Sequence, residues 1–519
     1  MKVRLPKIWS IILFLLVYSG CSAEPSPTVG PTKATTIHNA NNATAIDEQV
    51  TQFCGACHPV PAADEFPREA WPEEVQQGFD LYFQSPRDDL RVPLFSDVLQ
   101  YFQMHAPDSL RVPQSSNGVE TGGMQFKKTE GVFSESSPAI SHLNWTQFSD
   151  EGYMLLATDM RTGDVWAVNV RSDELDSRVI TKLDSPAHIE SCNLTGDGRR
   201  EFVVADLGEF RPADHDRGRV VWLQPVGGET GNYREVVLAD SLARVADVQA
   251  SDFDLDGDED LIVAEFGWRQ TGRILYLENM ASSHDVPNFE THVVDSRHGA
   301  IHVPPVDLNR DGKMDFVSLV SQEHESVEVF FNEGPGLFRS DHIFRPNTPT
   351  FGSSGIRLTD LDGDGDIDVL YTNGDMFDDF FLRTSHAIHW LENQGAEAWQ
   401  HHELAKMPGV HRALEADLDC DGDLDVVACS LIPQAALDRN AGLQLDSLIW
   451  LEQKSPSEFI RHVLEVDSCR HAALEVGDFD GDGDIDLAVG NFVTRDKDSE
   501  SEPEPSLTLW RNTPRDSGQ

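Results

Sequence analysis

At 519 residues the chain is long enough for more than one domain, and 39% hydrophobic residues with ten Trp supply ample core material, which excludes a disordered chain. Its 89 Asp and Glu against 40 Lys and Arg leave a formal charge of -49. That balance excludes a nucleic-acid partner for want of a basic surface, and a compact fold so acidic would repel itself unless cations neutralised part of it.

Residues 1–21 have the form of an export signal: Lys2, Arg4 and Lys7 precede an apolar run from Ile8 to Val17, followed by small residues. The run is too short to span a membrane comfortably. Its ending, "VYSGC", resembles a bacterial lipoprotein lipobox, which implies acylation of Cys21 and a lipid anchor in the periplasm or cell envelope. Tyr18 departs from the usual Leu there, so ordinary cleavage and release stays open. Residues 22–44 are rich in Pro, Ser, Thr, Ala and Asn, and read as a flexible tether.

From 45 to 120 the pattern turns helical, with apolar residues at spacings of three and four in "IDEQVTQFCGACH", "REAWPEEVQQGFDLYF" and "LFSDVLQYFQMHAP". The first of these runs carries "FCGACHPVP", a CxxCH. Two thiols at this spacing, Cys54 and Cys57, can add across the vinyl groups of haem, while His58 is carried to the iron as proximal ligand. A thioredoxin-like site would need a βαβ setting and a zinc ribbon a second Cys pair, and neither is found in the sequence. The segment resembles a class I cytochrome c, which implies one covalent haem c. On the distal side the resemblance breaks down, because no Met or His lies between Pro59 and Gln103. Met104 and His105 are the nearest candidates, at the end of the closing helix. The expectation is a sixth position weakly held by Met104 or vacant, with His105 or a propeller residue as the other options.

From 131 to 519 the chain repeats. Six loops, "NLTGDGRRE", "DFDLDGDED", "DLNRDGKMD", "DLDGDGDID", "DLDCDGDLD" and "DFDGDGDID", have central glycines 53 to 61 residues apart, and each is followed by a strand with an aromatic: Trp222, Tyr276, Phe330, Trp390, Trp450 and Trp510. A seventh strand, with Trp166, precedes them all, and "PAISHLNWTQFSDEGYMLLATD" occupies its loop position without the acids. Seven units of four short strands most economically close into a β-propeller. The predicted fold is therefore mainly β, a seven-bladed calcium-loop propeller preceded by a small all-α domain.

In each loop the first, third, fifth and ninth side chains can converge on a cation, while the glycine makes the sharp turn and oxygen donors at this density select Ca²⁺. The predicted ligands are Asn193, Thr195, Asp197 and Glu201; Asp252, Asp254, Asp256 and Asp260; Asp307, Asn309, Asp311 and Asp315; Asp360, Asp362, Asp364 and Asp368; Asp417, Asp419, Asp421 and Asp425; and Asp478, Asp480, Asp482 and Asp486. Up to six ions result, the Asn193 loop being the poorest in charge. The final acid runs into a strand and not a helix, so this is no EF-hand. The pattern resembles FG-GAP or VCBS repeats of integrin-like propellers, and the whole arrangement resembles the cytochrome-bearing members of that family in bacteria such as planctomycetes.

Two histidine series recur. His292, His342, His402 and His462 follow an aromatic by three or four residues and read as structural. His188, His302, His411 and His471 precede the acidic loops near the innermost strands, as channel-lining side chains or as a ligand site. Cys192, Cys420, Cys429 and Cys469 form two disulfides or stay free. No catalytic constellation can be assembled, and any enzyme here would be a haem-dependent oxidoreductase. Two functions stay open: electron transfer with a redox partner protein, the propeller serving as docking scaffold, or calcium-dependent adhesion to an extracellular glycan or protein with the haem as accessory.

Overall fold

The computed structural model describes residues 40–85, 87–112, 118–149, 152–172, 174–227, 231–281, 286–322, 324–494 and 503–513. The export signal with Cys21, and the tether as far as residue 39, lie outside the described residues. Helix α1, Ala40–Cys54, begins within the segment expected to be tether. Among the described residues no helix is long and apolar enough to cross a membrane.

The helical unit is built from α1, α2 (Trp71–Gln84) and α3 (Phe95–His105) around a core of Val50, Phe53, Phe66, Trp71, Val75, Phe79, Val98 and Phe102. Pro72 and the acids Glu73 and Glu74 fall in the first turn of α2, where a missing N–H costs nothing and negative charge meets the positive end of the dipole. Trp71 stacks on Phe102 with ring centres 3.9 Å apart, and its indole N–H donates to the carbonyl of Ala63. The guanidinium of Arg68 donates to the carbonyls of Gln103 and Ala106, satisfying acceptors that the end of α3 leaves open.

Seven antiparallel sheets follow. Their first strands are Ile140–Ser149, Pro186–Cys192, Val245–Ser251, Ala300–His302 with Pro305–Val306, Gly355–Thr359, Val410–Ala416 and His471–Gly477. These strands meet one another around the ring and so are innermost. Blades 1 to 7 are numbered in that order, and the fourth blade's inner strand is interrupted at Val303 and Pro304. The second strands of blades 2 to 7 are buried along their whole length, which explains their near-continuous apolar runs. Core residues interleave between neighbouring blades: Val203 and Trp222 pack with Val248 and Leu261, and Ile140 and Trp166 with Ala488 and Leu507.

The propeller begins earlier than the boundary expected at 131. Strand Gln125–Gly131 pairs with Leu507–Thr513 and forms the outer edge of blade 7, with Lys128 opposite Trp510. The strand from before blade 1 thus completes the last blade, so first and last repeats lock together without a free seam.

The two parts of the chain touch. Phe381, in the connection between the second and third strands of blade 5, meets Phe66 edge-on at 5.9 Å. Arg383, 4% exposed, lies over the Phe66 ring, pairs with Asp379 and stands 3.4 Å from Glu65. Arg439, from a short helix of blade 6 (Gln434–Arg439), covers the other aromatic, Phe381, at 4.2 Å.

Candidate functional site

The acidic loops join the first strand to the second in blades 2 to 7. At the first position, Asp252, Asp307, Asp360, Asp417 and Asp478 each accept the N–H of the sixth-position glycine at 3.0 to 3.2 Å, and Asn193 does the same for Gly198. Those glycines have φ between 77° and 99°, which only glycine adopts without strain. Third-position oxygens accept the fifth N–H, as Asp254 does from Asp256, and fifth-position oxygens accept the seventh, as Asp364 does from Asp366. Asp252, Asp360 and Asp417 thereby spend one oxygen shaping the turn, whereas Asp307 and Asp478 use both, accepting a second loop N–H.

The ninth acid is buried and works as a buckle. Asp260 accepts the N–H of Phe253 on one oxygen, at 3.1 Å, and that of Asn279 on the other, at 2.7 Å; Asp315, Asp368, Asp425 and Asp486 repeat this between the second loop residue and the end of the third strand. Burial, chiefly, pushes Asp260 and Asp486 up to about 7 and Asp368 and Asp425 up to about 6.

One buried oxygen on each of Asp252, Asp360, Asp417 and Asp419 has no hydrogen-bond partner, a costly state for a carboxylate unless a cation meets it. Four loops gather carboxylates whose oxygens lie within 4.8 Å of one another: Asp252, Asp254 and Asp260; Asp360, Asp362 and Asp368; Asp417, Asp419 and Asp421; and Asp478, Asp480 and Asp482. These sets fit a hard dication. The other two loops carry their own cation: Arg199 donates to Asp197 at 2.6 Å, and Lys313 lies 3.5 Å from Asp311. The six loops are thus unequal, four being acid-rich sets and two partly self-neutralised.

The aromatic in phase with the loops has a reason. Tyr276 donates its hydroxyl to Asp260 at 2.8 Å. On its outer side His292 stacks across the strands at 5.6 Å, as His402 does on Trp390 at 4.6 Å and His462 on Trp450 at 4.5 Å, and each of these histidines bonds a glutamate: Glu278, Glu392 and Glu452. His342 departs from this, pairing across the strands with Glu328.

The second histidine series does not gather as a set. His188 and His302 enter a buried network with His142, Asp247 and Arg412, residues that the sequence reading missed. His188 Nε2 lies 3.3 Å from one Asp247 oxygen and His302 Nδ1 3.7 Å from the other, His142 and His188 have ring centres 3.9 Å apart, and Arg412 bonds His302. His188, Asp247, His302 and Arg412 each stand five residues before their loop, and a β-bulge precedes each, as one precedes His142. At the same position blade 5 has Gly355, where a Cβ would come within 2.9 Å of the Arg412 guanidinium; the glycine lets Arg412 cross a whole blade to reach His302. Burial alone would raise Asp247, but His188 and His302 outweigh it and hold the carboxyl well below its usual range. Burial and the Arg412 cation push His302 down to about 4. His471 is instead fixed by Asn491 of blade 7 and Glu465 of the outer strand of blade 6, and His411 is pushed down to about 3 chiefly by burial.

All six described cysteines are free; Cys192, Cys429 and Cys469 are buried and Cys420 exposed. In the CxxCH, α1 ends at Cys54, half-buried, whose thiol burial pushes up to about 11, while Cys57 is exposed on the following turn. His58 Nδ1 bonds the carbonyl of Pro59 at 2.8 Å, which fixes the ring and leaves Nε2 as the available nitrogen. Arg87, gripped by Asp89, reaches the Ala56 carbonyl at 3.1 Å and the Cys57 sulfur at 3.2 Å. Either side of Arg87 in sequence the chain exposes Leu81, Phe83, Val92 and Leu94. Two free thiols and an oriented imidazole at CxxCH spacing fit the donor set of a covalent haem. Met104 is 59% exposed at the last turn of α3, and neither it nor His105 lines the cleft beside His58.

An FG-GAP-like repeat matches residues 307–371. The matched stretch runs from the first acid of one loop into the second strand of the next blade, so the sequence repeat starts one inner strand later than the blade. No curated protein matches the chain.

Proposed function

We propose that the chain is an exported electron-transfer protein with one covalent haem c on Cys54 and Cys57, in which His58 is the proximal ligand and the propeller, with calcium in its acidic loops, is the docking scaffold for a redox partner in the cell envelope. The observation that carries the reading is the His58 ring, held through Nδ1 by the Pro59 carbonyl so that Nε2 is the nitrogen free for iron, within a CxxCH of unpaired thiols. Haem bound there supplies a one-electron couple. The protein's own part is to hold the imidazole, to cover one edge of the site with Arg87 and its neighbours, and to present a charged surface to a partner.

Protein matured with a cytochrome c assembly system is expected to retain haem through denaturing electrophoresis, to show a reduced-minus-oxidised c-type spectrum, and to lose the covalent haem when Cys54 and Cys57 are both replaced by Ala. Wild-type protein that emerges from such a system without covalent haem overturns the reading.

A further inference from the structure

The cleft beside His58 is shared between the two parts of the chain. The turn Gly55–Pro59 forms one wall and the propeller residues Arg345, Pro346 and Asn347 the other of an open, largely polar depression of about 400 Å³. Those three residues follow the outer strand of blade 4, Leu337–Phe344, and lead toward the inner strand of blade 5. Their distance from the CxxCH is not left to a linker, because Phe66 and Glu65 of the helical unit are clamped on Phe381 and Arg383 of the same blade 5. Arg345 itself is exposed and, among the described residues, makes no hydrogen bond or ion pair, in a chain with more than twice as many acids as bases.

Resting on the haem reading above, we infer that the propeller completes the haem site: Arg345 is a second fixed positive charge at the cofactor's edge, beside Arg87, and raises its reduction potential from the other side of the interface. Reduction removes one unit of positive charge from the haem, so a nearby guanidinium that cannot lose its proton favours the reduced form. The motif supplies attachment and the proximal ligand. The propeller adds a guanidinium to that of Arg87 on the helical unit, so a haem unit separated from its propeller would carry a lower potential.

The test is a redox titration of the full-length, haem-loaded protein followed by absorption, with Arg345→Ala and Arg345→Lys beside the wild type. Arg345→Ala is expected to shift the oxidised-to-reduced ratio at fixed potential roughly tenfold toward the oxidised form, about 59 mV for one electron, with the covalent haem and its proximal ligation unchanged. Arg345→Lys, which keeps the charge, is expected to restore most of the shift. Because Arg345 is exposed and unpaired, its loss leaves folding intact, and thermal melting of the apo forms verifies this. An unchanged potential in a haem-loaded Arg345→Ala protein overturns this inference and leaves the haem assignment standing. A wild type that takes up no covalent haem overturns both.

Discussion

Leu255 shows how a single loop position carries strain that its neighbours avoid. The fourth residue of every acidic loop has a left-handed backbone: Gly196, Gly363 and Gly481 adopt it freely, whereas Leu255, Arg310 and Cys420 hold it at φ of 64°, 59° and 61°. An L-residue with a Cβ is penalised there by about 1–2 kcal/mol, and Leu255, 59% exposed, recovers little by burial. Leu255→Gly is therefore expected to stabilise the protein by roughly 1 kcal/mol, the relief of strain exceeding the flexibility that glycine adds to the unfolded chain, and Gly363→Leu to destabilise it by a similar amount. Paired chemical-denaturation curves measure both; a neutral or destabilising Leu255→Gly would show that the turn is imposed at no local cost. The acid and glycine spacing was legible in the sequence because it recurs in phase. The handedness of the variable fourth position was not, since half the loops fill it with residues that give no warning.

At the scale of the element, a loop and its blade form one mechanical unit through the ninth acid, which ties the second loop residue to the third strand. The sequence reading made Asp260, Asp368, Asp425 and Asp486 ligands because of their spacing; that they also accept two backbone N–H groups each was invisible, as the partners lie in strands that only folding brings together. The same limit hid the channel network. His188 and His302 stood out as histidines, but Asp247 and Arg412 share their position five residues before the loop, and only a comparison of repeats by position and not by residue type would have found them. For the loops, the calcium proposal predicts unequal responses. Exhaustive chelation is expected to lower the melting temperature, and Ca²⁺ to restore it more fully than Mg²⁺, which demands a regular octahedron that these loops do not impose. At a hundredfold excess over Kd each occupied site adds about 2.7 kcal/mol, so Asp360→Ala, in an acid-rich loop, is expected to remove a calorimetrically countable site. Asn193→Ala, in the loop neutralised by Arg199, is expected to leave the count unchanged. Equal losses from both would mean that the internal cations do not decide occupancy.

For the whole molecule, the blade count was readable and the closure was not. The strand Gln125–Gly131 is a polar edge whose partner lies at the far end of the chain, so neither hydrophobic pattern nor local pairing marks it. Nor did any periodicity announce that the helical unit docks on blade 5, because the docking residues sit in an irregular connection. That interface has an unusual charge balance. Arg383, buried, faces Glu65 and Asp379, with Glu74, Asp375 and Asp378 close enough to perturb the group, and burial above all pushes Glu74 and Asp375 up to about 7. Glu74, raised by burial and by Asp379 of the propeller, holds in the docked state a proton that the separated helical unit would release, so docking is strongest in acid and weakens as pH climbs from the usual carboxylate range, near 4, through about 7. Arg383 is the counterweight that keeps the interface closed above that window. Arg383→Met retains the apolar contact with Phe66 but leaves Glu65 and Asp379 without their cation, a change that costs about 3–5 kcal/mol for a broken buried pair. The variant is expected to stay docked at pH 5 and to open at pH 8, read as a rise in the radius of gyration by solution scattering and as new proteolysis between α3 and the closing strand, while the wild type stays closed at both. If the variant remains compact and protease-resistant at pH 8, the aromatic contact of Phe66 with Phe381 holds the two parts together by itself, and the arginine is dispensable to the docking.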